Sequence, residues 1–413
     1  AGEFCRRYLR EQHPDLRVRD AVMHATYAVE VALTPLEETV VASGFASDRS
    51  IRERRSYAGP KLGCPAVIPA RVTDVEVESV PDLRVREDRC RVVRLRERCA
   101  RYLAGFGTGV SYGVHADNLK NMTRGIVERV LYVRRGGRLA RPPQPKVGVF
   151  GRLGHIRERL LRKTPPTPVV DRDDFPLLYN GRKRVTYQNA VDSLKTRGLT
   201  VQDSYVDTFL KAEKINFTAK VDPAPRVIQP RNPRYNVEVG RYLKCFEKSL
   251  FEGFRRVFGY SVVVKGMNAE KQGALFAAHW ARYSHPVAFG IDATRFDQHT
   301  SKAALEWEHS VYNGAFRSAE LARLLKWQLV NRGIARTEQY RLDYTVEGCR
   351  MSGDMNTGMG NCLIMSSIVL SYIEDRGIDA RLVNNGDDCV VVCESRDLDQ
   401  FSGLSQWALD FGY

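Results

Sequence analysis

A hairpin pattern near the end of the chain constrains the fold most. Two apolar runs within residues 381–393 flank Asn385-Gly386-Asp387, and an Asn-Gly pair in that setting is typical of a tight turn between antiparallel strands. The turn places the carboxylates of Asp387 and Asp388 side by side, where they repel unless protons or a cation compensate the charge. Mg²⁺ suits such a place because it prefers one or two protein carboxylates together with phosphate oxygens and water. Taken alone, the pattern is equally consistent with an ordinary surface turn.

A second acidic position follows another predicted strand. The apolar run from Pro286 to Asp292 predicts a buried strand that ends at the Asp292 carboxylate, and Asp297 follows a few residues later. If this strand lies beside the hairpin, Asp292 and Asp387 can hold two metal ions about 3.5–4 Å apart, the arrangement for in-line phosphoryl transfer. The alternative for Asp297 is an acid at a helix N-terminus, favoured by the helix dipole.

Further helices and strands are indicated by apolar spacing. Helical spacing predicts one helix over residues 301–329 with a stop at Gly333, and a second over residues 354–374 that closes at Gly377. Near the start of the chain, residues 21–31 show a helical pattern and residues 71–80 an alternating one that is typical of a strand. No stretch of 18 apolar residues exists, so no membrane span is predicted.

Between the two acidic strands lies a glycine-containing segment, residues 349–361. Its glycines favour a loop that runs into a helix, because glycine is costly in a helix interior. Thr357 and Asn361 stand four residues apart and share one face if the helix has begun, so a hydroxyl and an amide could meet one ligand. The alternative is ordinary helix capping by Ser352 or Asn356, which needs no ligand.

A fourth segment, residues 211–235, is basic and rich in proline. It contains six basic residues against two acidic ones: Lys211, Lys214, Lys220, Arg226, Arg231 and Arg234 against Glu213 and Asp222. Four prolines stiffen it, so the sequence predicts an extended arm that lines a channel for nucleotide or RNA phosphates. A solvated loop is the alternative.

Composition points to an anionic partner. Lys and Arg number 64 against 49 Asp and Glu, a net charge of +15, and nucleic acid is the leading candidate. Residues 101–200 hold 20 basic and 7 acidic residues, net +13, whereas residues 351–413 hold 3 and 10, net −7. This order suits an enzyme in which cations hold phosphates and carboxylates gather metal ions. The nine cysteines include no CxxC pair, which argues against a disulfide framework and a zinc module.

In order, the four segments resemble motifs F, A, B and C of viral RNA-dependent RNA polymerases, and in particular the tombusvirus-like (Tombusviridae) replicases of positive-strand RNA plant viruses. The resemblance is carried by residues 211–220, by Phe296-Asp297-Gln298-His299, by residues 347–357 and by Gly386-Asp387-Asp388. It extends from about Tyr112 to the end of the chain.

The resemblance implies an α+β, right-hand polymerase with an antiparallel palm sheet and a thumb that is largely missing. Fingers would occupy residues 101–255, with an insertion at 301–356, and palm residues 256–300 and 357–413. Residues 1–100 would be an N-terminal replicase region of unknown role. Because the chain stops within what resembles the first helix of motif D, we expect this fragment to lack processive activity.

The resemblance also implies roles for single residues. Asp292 and Asp387 would be the main ligands of Mg²⁺ or Mn²⁺, with Asp388 assisting. Asp297 and Asn361, with Ser352 and Thr357 nearby, would read the ribose hydroxyls, and both Asp297 and Asn361 could accept hydrogen bonds from them. The incoming triphosphate would be held by Lys211, Lys214 and Arg226, and RNA would be contacted by Lys220, Arg231 and Gly353.

The expected partners are template RNA and NTPs, an upstream replicase protein, and a host membrane reached only through regions outside this chain. The expected location is the host cytoplasm, at membrane-associated replication complexes, and the oligomeric state stays open. Two other functions compete. A reverse transcriptase is expected to show a bulky aromatic in place of Asp297 and an aromatic before its Asp pair, where this chain has Gly386. A non-enzymatic RNA-binding protein explains the +15 charge but not the four acids.

Overall fold

The structure is a computed structural model that describes residues 70–88 and 112–413. The strands are β1 Ala70–Arg71, β2 Leu83–Glu87, β3 Tyr112–His115, β4 Val133–Arg135, β5 Arg138–Ala140, β6 Val206–Leu210, β7 Ile215–Asn216, β8 Val227–Ile228, β9 Pro286–Asp292, β10 Val330–Arg336, β11 Tyr340–Glu347, β12 Ala380–Asn385 and β13 Asp388–Glu394. The α-helices are α1 Leu119–Ile126, α2 Gly154–Lys163, α3 Gly181–Thr196, α4 Pro233–Phe258, α5 Ala269–Trp280, α6 Phe296–His299, α7 Lys302–Phe316, α8 Ala319–Lys326, α9 Thr357–Asp375 and α10 Leu404–Asp410. Most strand pairs are antiparallel, and the mixture of helices and sheets agrees with the α+β class. The helix expected over residues 21–31 lies outside the described residues.

The predicted hairpin forms one side of a three-stranded sheet in the order β12-β13-β9, called here the hairpin sheet. Gly386 has φ +97°, a backbone angle that favours glycine and that the two-residue turn requires. Strand β9 pairs antiparallel with β13, so the adjacency assumed from sequence is confirmed. Residues 262–264 run beside β12, where the Val264 N–H donates to the Asn384 carbonyl at 2.9 Å.

Helix α9 packs behind the hairpin sheet. The second predicted helix is therefore confirmed, beginning at Thr357, and Gly377 follows it with φ +62°. Every residue from Met359 to Ile373 is buried, which is typical of a helix surrounded by protein on all sides. Each fully buried Leu or Ile contributes roughly 1.5–3 kcal/mol, so this helix anchors the main hydrophobic core together with α4 and α7.

The predicted helix over residues 301–329 is interrupted. Arg317 takes a left-handed backbone with φ +49°, and the Ser318 hydroxyl then accepts from the Leu321 N–H to cap a second helix, so α7 and α8 replace one helix. The expectation that Gly333 stops a helix is wrong. Gly333 lies inside strand β10, opposite Tyr344 of β11.

A five-stranded sheet in the order β2-β11-β10-β6-β8 forms the second core with α1. The strand predicted over residues 71–80 is wrong beyond β1. In place of a strand partner, Thr73 N–H donates to the Asn121 side chain at 2.8 Å and Asp74 N–H to Asp222 at 3.1 Å. Side chains thus satisfy backbone groups that a ladder would otherwise pair. Among the described helices, none is long and apolar enough to cross a membrane.

Candidate active site

Three carboxylates gather at the turn end of the hairpin sheet. Asp292 closes β9 and its register partner is Asp388, the first residue of β13, while Asp387 lies in the turn. Directly opposed residues in an antiparallel pair have Cβ atoms roughly 4.5–5.5 Å apart. Within the described part of the chain, no basic side chain forms an ion pair with any of the three.

This crowding changes the protonation of Asp388. Partial burial, followed by repulsion from Asp387 and Asp292, raises the pKa of the Asp388 carboxyl above its usual value. A divalent cation would relieve that repulsion, and Mg²⁺ needs only one or two protein carboxylates when phosphate and water complete its shell. The chemistry of these donors therefore fits Mg²⁺, although residues 70–88 and 112–413 contain no group of three or more His, Cys, Asp or Glu placed so that it could hold a metal ion.

Asp297 and Asn361 come together from helices α6 and α9. The Asn361 Nδ2 donates to Asp297 Oδ1 at 2.8 Å. Burial raises the pKa of the Asp297 carboxyl, while the Asn361 hydrogen bond and the Arg350 charge lower it, and Asp387 adds repulsion. One expectation is corrected: the Asn361 carbonyl oxygen already accepts from Arg350 Nε at 3.1 Å, so its amide faces a ligand as a donor.

The two hydroxyls predicted near the sugar bond to backbone in this structure. Thr357 Oγ1 donates to the Met351 carbonyl at 2.8 Å, and Ser352 Oγ accepts from the Gln229 N–H at 3.2 Å. Asn356 occupies the N-cap position of α9, but its side chain makes no capping hydrogen bond and donates to Glu308 instead, so the capping alternative is observed only in position. Gly353 packs against the backbone of Gln229 and Pro230, where a Cβ would lie 2.5 Å from Pro230 Cα. These contacts tie the loop before α9 to the basic segment.

The basic segment brings together two of its predicted phosphate ligands. Lys211 N–H donates to the Arg226 carbonyl at 2.8 Å, where β6 and β8 pair. Their side chains share Glu213, with the Lys211 Nζ at 2.9 Å and an Arg226 guanidinium nitrogen at 3.3 Å from Glu213 Oε2. Lys214 and Lys220 are exposed. The sequence did not single out Glu213 as a partner of these cations.

The expectation of one extended arm, and of RNA contact by Arg231, is corrected. The segment folds into the short strands β7 and β8 and enters α4 at Pro233. Arg231 is buried and ion-pairs with Asp354, and it also donates to the Ser204 carbonyl and the Asn331 side chain. All of its nitrogens thus have partners inside the protein, because a charge this deeply buried must be compensated.

Sequence reasoning missed Glu308 and Arg350, two fully buried charges beside Asn361. Glu308 lies within the predicted helix over residues 301–329 and Arg350 within the glycine-containing segment, and neither was given a role. The only available signal was that Glu308 interrupts the apolar spacing of residues 301–329. That signal is weak, because helices of this kind carry charges on their exposed face.

The amino-acid sequence is similar to those of known viral proteins. The family described as viral RNA dependent RNA polymerase matches residues 86–413. The RNA-directed RNA polymerase of Turnip crinkle virus is 47% identical over 314 residues, which are 76% of this chain and 40% of that protein. The enzyme of that name from Tomato bushy stunt virus (strain Cherry) is 43% identical over 381 residues, 91% of this chain and 46% of that protein.

A third relative, the RNA-directed RNA polymerase of Tobacco necrosis virus (strain D), is 40% identical over 395 residues, 94% of this chain and 54% of that protein. The chain thus spans about half the length, or less, of these curated relatives. The family match covers most of the chain and includes every residue of the acidic turn, the Asp297–Asn361 pair and the basic segment. On this basis the chain belongs to the viral RNA-dependent RNA polymerases.

Proposed function

We propose that the chain carries the nucleotidyl-transfer centre of an RNA-directed RNA polymerase that replicates a positive-strand viral RNA genome. The observation that supports this most is the pairing of Asp292 with Asp388 on adjacent strands, with Asp387 in the turn that leads into the Asp388 strand. Asp292 and Asp387 would hold Mg²⁺ or Mn²⁺ ions, with Asp388 assisting. Such ions, when bound, activate the attacking hydroxyl and stabilise the leaving pyrophosphate.

The nucleotide would be oriented by the chain's own side chains. Lys211, Lys214 and Arg226 bind triphosphate oxygens, and a bidentate guanidinium is well matched to two of them. Because Lys211 and Arg226 share Glu213, they are held close together before a nucleotide arrives, and the phosphates displace that carboxylate. Asp297 and Asn361 contact the ribose, with Ser352 and Thr357 holding the neighbouring loop.

RNA would lie along the basic part of the molecule. Residues 101–200 hold 20 basic and 7 acidic residues, and Lys220 with the backbone at Gly353 would contact the template. In a right-hand polymerase, fingers would be formed by residues 101–255 and 301–356, and palm by residues 256–300 and 357–413. The hairpin sheet would then be the palm sheet.

The remaining parts of the proposal rest on the family alone. The partners would be template RNA, NTPs and an upstream replicase protein. The complex would sit at membranes in the host cytoplasm, through regions outside this chain.

The test is nucleotide incorporation by the purified chain with Mg²⁺ or Mn²⁺, on RNA or DNA templates and with NTPs or dNTPs. Because this fragment is expected to lack processive activity, we expect only short RNA products from an RNA template and NTPs, and their loss in Asp292→Asn and in Asp387→Asn. Asp375→Asn is the matched control, since Asp375 is an exposed carboxylate at the end of α9 whose partner is Arg376. DNA product from dNTPs would identify a reverse transcriptase, and RNA binding without any product would identify a non-enzymatic RNA-binding protein.

A further inference from the structure

We propose that the buried ion pair of Glu308 and Arg350 is a positioning device. It fixes the Asn361 amide so that Asn361 and Asp297 present one hydrogen-bond donor and one acceptor to the 2′-hydroxyl of a ribonucleotide. The proposal rests on the proposed function and adds to it the two residues that set sugar specificity from behind the site.

The ion pair is placed to act on Asn361. Both side chains are 0% exposed, and the Arg350 Nη1 donates to Glu308 Oε1 at 3.2 Å while Nη2 bonds Glu308 Oε2. The third nitrogen of the planar guanidinium, Nε, donates to Asn361 Oδ1 at 3.1 Å. A guanidinium held by two bonds to one carboxylate has little freedom to rotate, so its Nε–H points in a fixed direction.

That direction decides which way the amide faces. Arginine has only donors, so the Asn361 atom that it contacts must be the carbonyl oxygen, and the amide nitrogen must face Asp297 Oδ1. One Asn361 N–H and the Asp297 Oδ2 then remain for a ligand. A hydroxyl fits both, since it accepts from the amide and donates to the carboxylate. A 2′-deoxy sugar leaves both groups without a hydrogen-bond partner. Sites built to bind a hydroxyl strongly reject an analogue that lacks it.

The carboxylate of Glu308 is itself held in place. Its Oε1 accepts from Tyr312 Oη at 2.8 Å and from Asn356 Nδ2 at 2.7 Å. Burial alone would raise the pKa of Glu308, but the charge and hydrogen bonds of Arg350 hold it below the usual value, so the pair stays ionised. Space for the pair comes from Gly360, where a Cβ would lie 2.5 Å from an Arg350 Nη atom.

Another buried pair of the same kind serves as a comparison. Arg234 and Asp203 have side chains 6% and 4% exposed, and Arg234 also bonds the Ser193 hydroxyl and the carbonyls of Arg197 and Gly198. None of these partners is Asp297 or Asn361. Replacing either arginine by lysine keeps the charge but loses the fork, so the two variants should lose similar stability and differ only at the sugar.

The experiment measures the ratio of kcat/KM for an NTP to that for its dNTP in the parent chain, in Arg350→Lys and in Arg234→Lys. We expect the ratio to fall about 10-fold or more in Arg350→Lys and to stay within about twofold of the parent in Arg234→Lys. We also expect Arg350→Lys to change the ratio no further once Asn361→Ala is present, because it acts through that amide. The positioning role would be overturned if the NTP-to-dNTP ratio fell equally in Arg350→Lys and Arg234→Lys. It would also be overturned if the effects of Arg350→Lys and Asn361→Ala on that ratio were additive.

A binding measurement separates this inference from the proposed function. The rise in unfolding temperature caused by GTP or by 2′-deoxy-GTP reports sugar preference without turnover. Suppose that the parent makes no RNA but binds GTP more tightly than 2′-deoxy-GTP, and that Arg350→Lys binds the two equally. The polymerase proposal then fails and the positioning role stands. If RNA is made and Arg350→Lys leaves both the kinetic ratio and the binding preference unchanged, the positioning role fails and the polymerase proposal stands.

Discussion

At the scale of single residues, charge burial separates structural side chains from those that can meet a ligand. Arg231, Arg234 and Arg350 each sit in a buried pair with a carboxylate, and breaking such a pair leaves an uncompensated charge that costs about 3–5 kcal/mol. The acidic turn is the opposite case, since its carboxylates repel one another and form no ion pair with a basic side chain of the described residues. Repulsion of this kind lowers stability and is tolerated where binding requires it.

A first prediction follows from Asp388. The pKa of Asp388 is higher in the folded chain than in the unfolded chain, so the unfolded chain loses this proton first as pH rises. The folded state therefore loses stability as pH rises from the unfolded pKa to the folded pKa. At neutral pH the whole of this loss is present. We expect Asp388→Asn to raise the unfolding temperature at pH 7 without metal, and to have no effect at a pH below the unfolded value of 3.8.

The unfolding temperature is measured from below pH 3.8 to pH 7, with and without Mg²⁺. Mg²⁺ should stabilise the parent more than Asp388→Asn. Asp379→Asn serves as control, because Asp379 is an exposed carboxylate paired with Arg282. An unfolding temperature that falls in Asp388→Asn at pH 7 would contradict the repulsion.

A second prediction concerns Arg226. Arg226→Ala should raise the KM for NTPs about 10-fold or more with a smaller change in kcat, since a hydrogen-bonded charge contact to phosphate is lost. Arg255→Ala is a matched control: Arg255 is similarly exposed and pairs with Glu252. Saturation curves that superimpose for Arg226→Ala and the parent would show that Arg226 serves only to pair with Glu213.

At the scale of secondary-structure elements, strand β10 depends on a glycine. The ring of Tyr344 lies over Gly333 on the neighbouring strand, well inside the space that a Cβ would occupy. The ring cannot easily move, because Tyr344 Oη bonds Thr208 and Gln229, each at 2.7 Å. Gln229 in turn binds Ser352 through its backbone, so this packing reaches the loop before α9.

The third prediction is that Gly333→Ala lowers the free energy of unfolding by about 1–3 kcal/mol, the usual cost of overpacking. Denaturant unfolding gives the value. Gly151→Ala is the control, since no atom lies within 4 Å of a Cβ at Gly151. A loss for Gly333→Ala no greater than for Gly151→Ala would mean that the Tyr344 ring moves freely.

At the scale of the whole molecule, cationic and acidic regions are separated along the chain. Residues 101–200 hold 20 basic and 7 acidic residues, while residues 351–413 hold 3 and 10. Association with RNA should therefore depend on salt and be largely independent of the acidic turn. Arg231 should take no part, because it is buried against Asp354.

The fourth prediction tests this separation. Lys220→Ala should reduce the slope of log K against log salt for single-stranded RNA by about 0.7, the value for one phosphate contact. Arg231→Gln should leave that slope unchanged, with RNA binding measured under conditions in which the variant is folded. It should lower the free energy of unfolding by about 3–5 kcal/mol. Asp292→Asn should change neither the salt slope nor the free energy of unfolding by a large amount. A reduced slope in Arg231→Gln would restore direct RNA contact by Arg231.

Local chemistry made several elements predictable from sequence. The hairpin, the strand ending at Asp292 and the helix after Thr357 were all predicted, since turn residues and apolar spacing act over a few neighbours. The order of the four motifs pointed to the polymerase family, which the comparisons show. Errors arose where a local signal had two meanings, as at Gly333, whose lack of a side chain serves Tyr344 packing and not a helix end.

What only the tertiary structure decided is which distant groups meet. The register sets Asp388 opposite Asp292, a pairing that the sequence did not specify. The partners of Arg350 and Arg231 lie 42 and 123 residues away in sequence. Arg231 was predicted to contact RNA and Arg350 was given no role, because burial of a charge depends on the element packed against it and not on its neighbours in the chain. The sequence thus determined the elements and the chemical groups, whereas packing decided which groups are buried in pairs and which face a ligand.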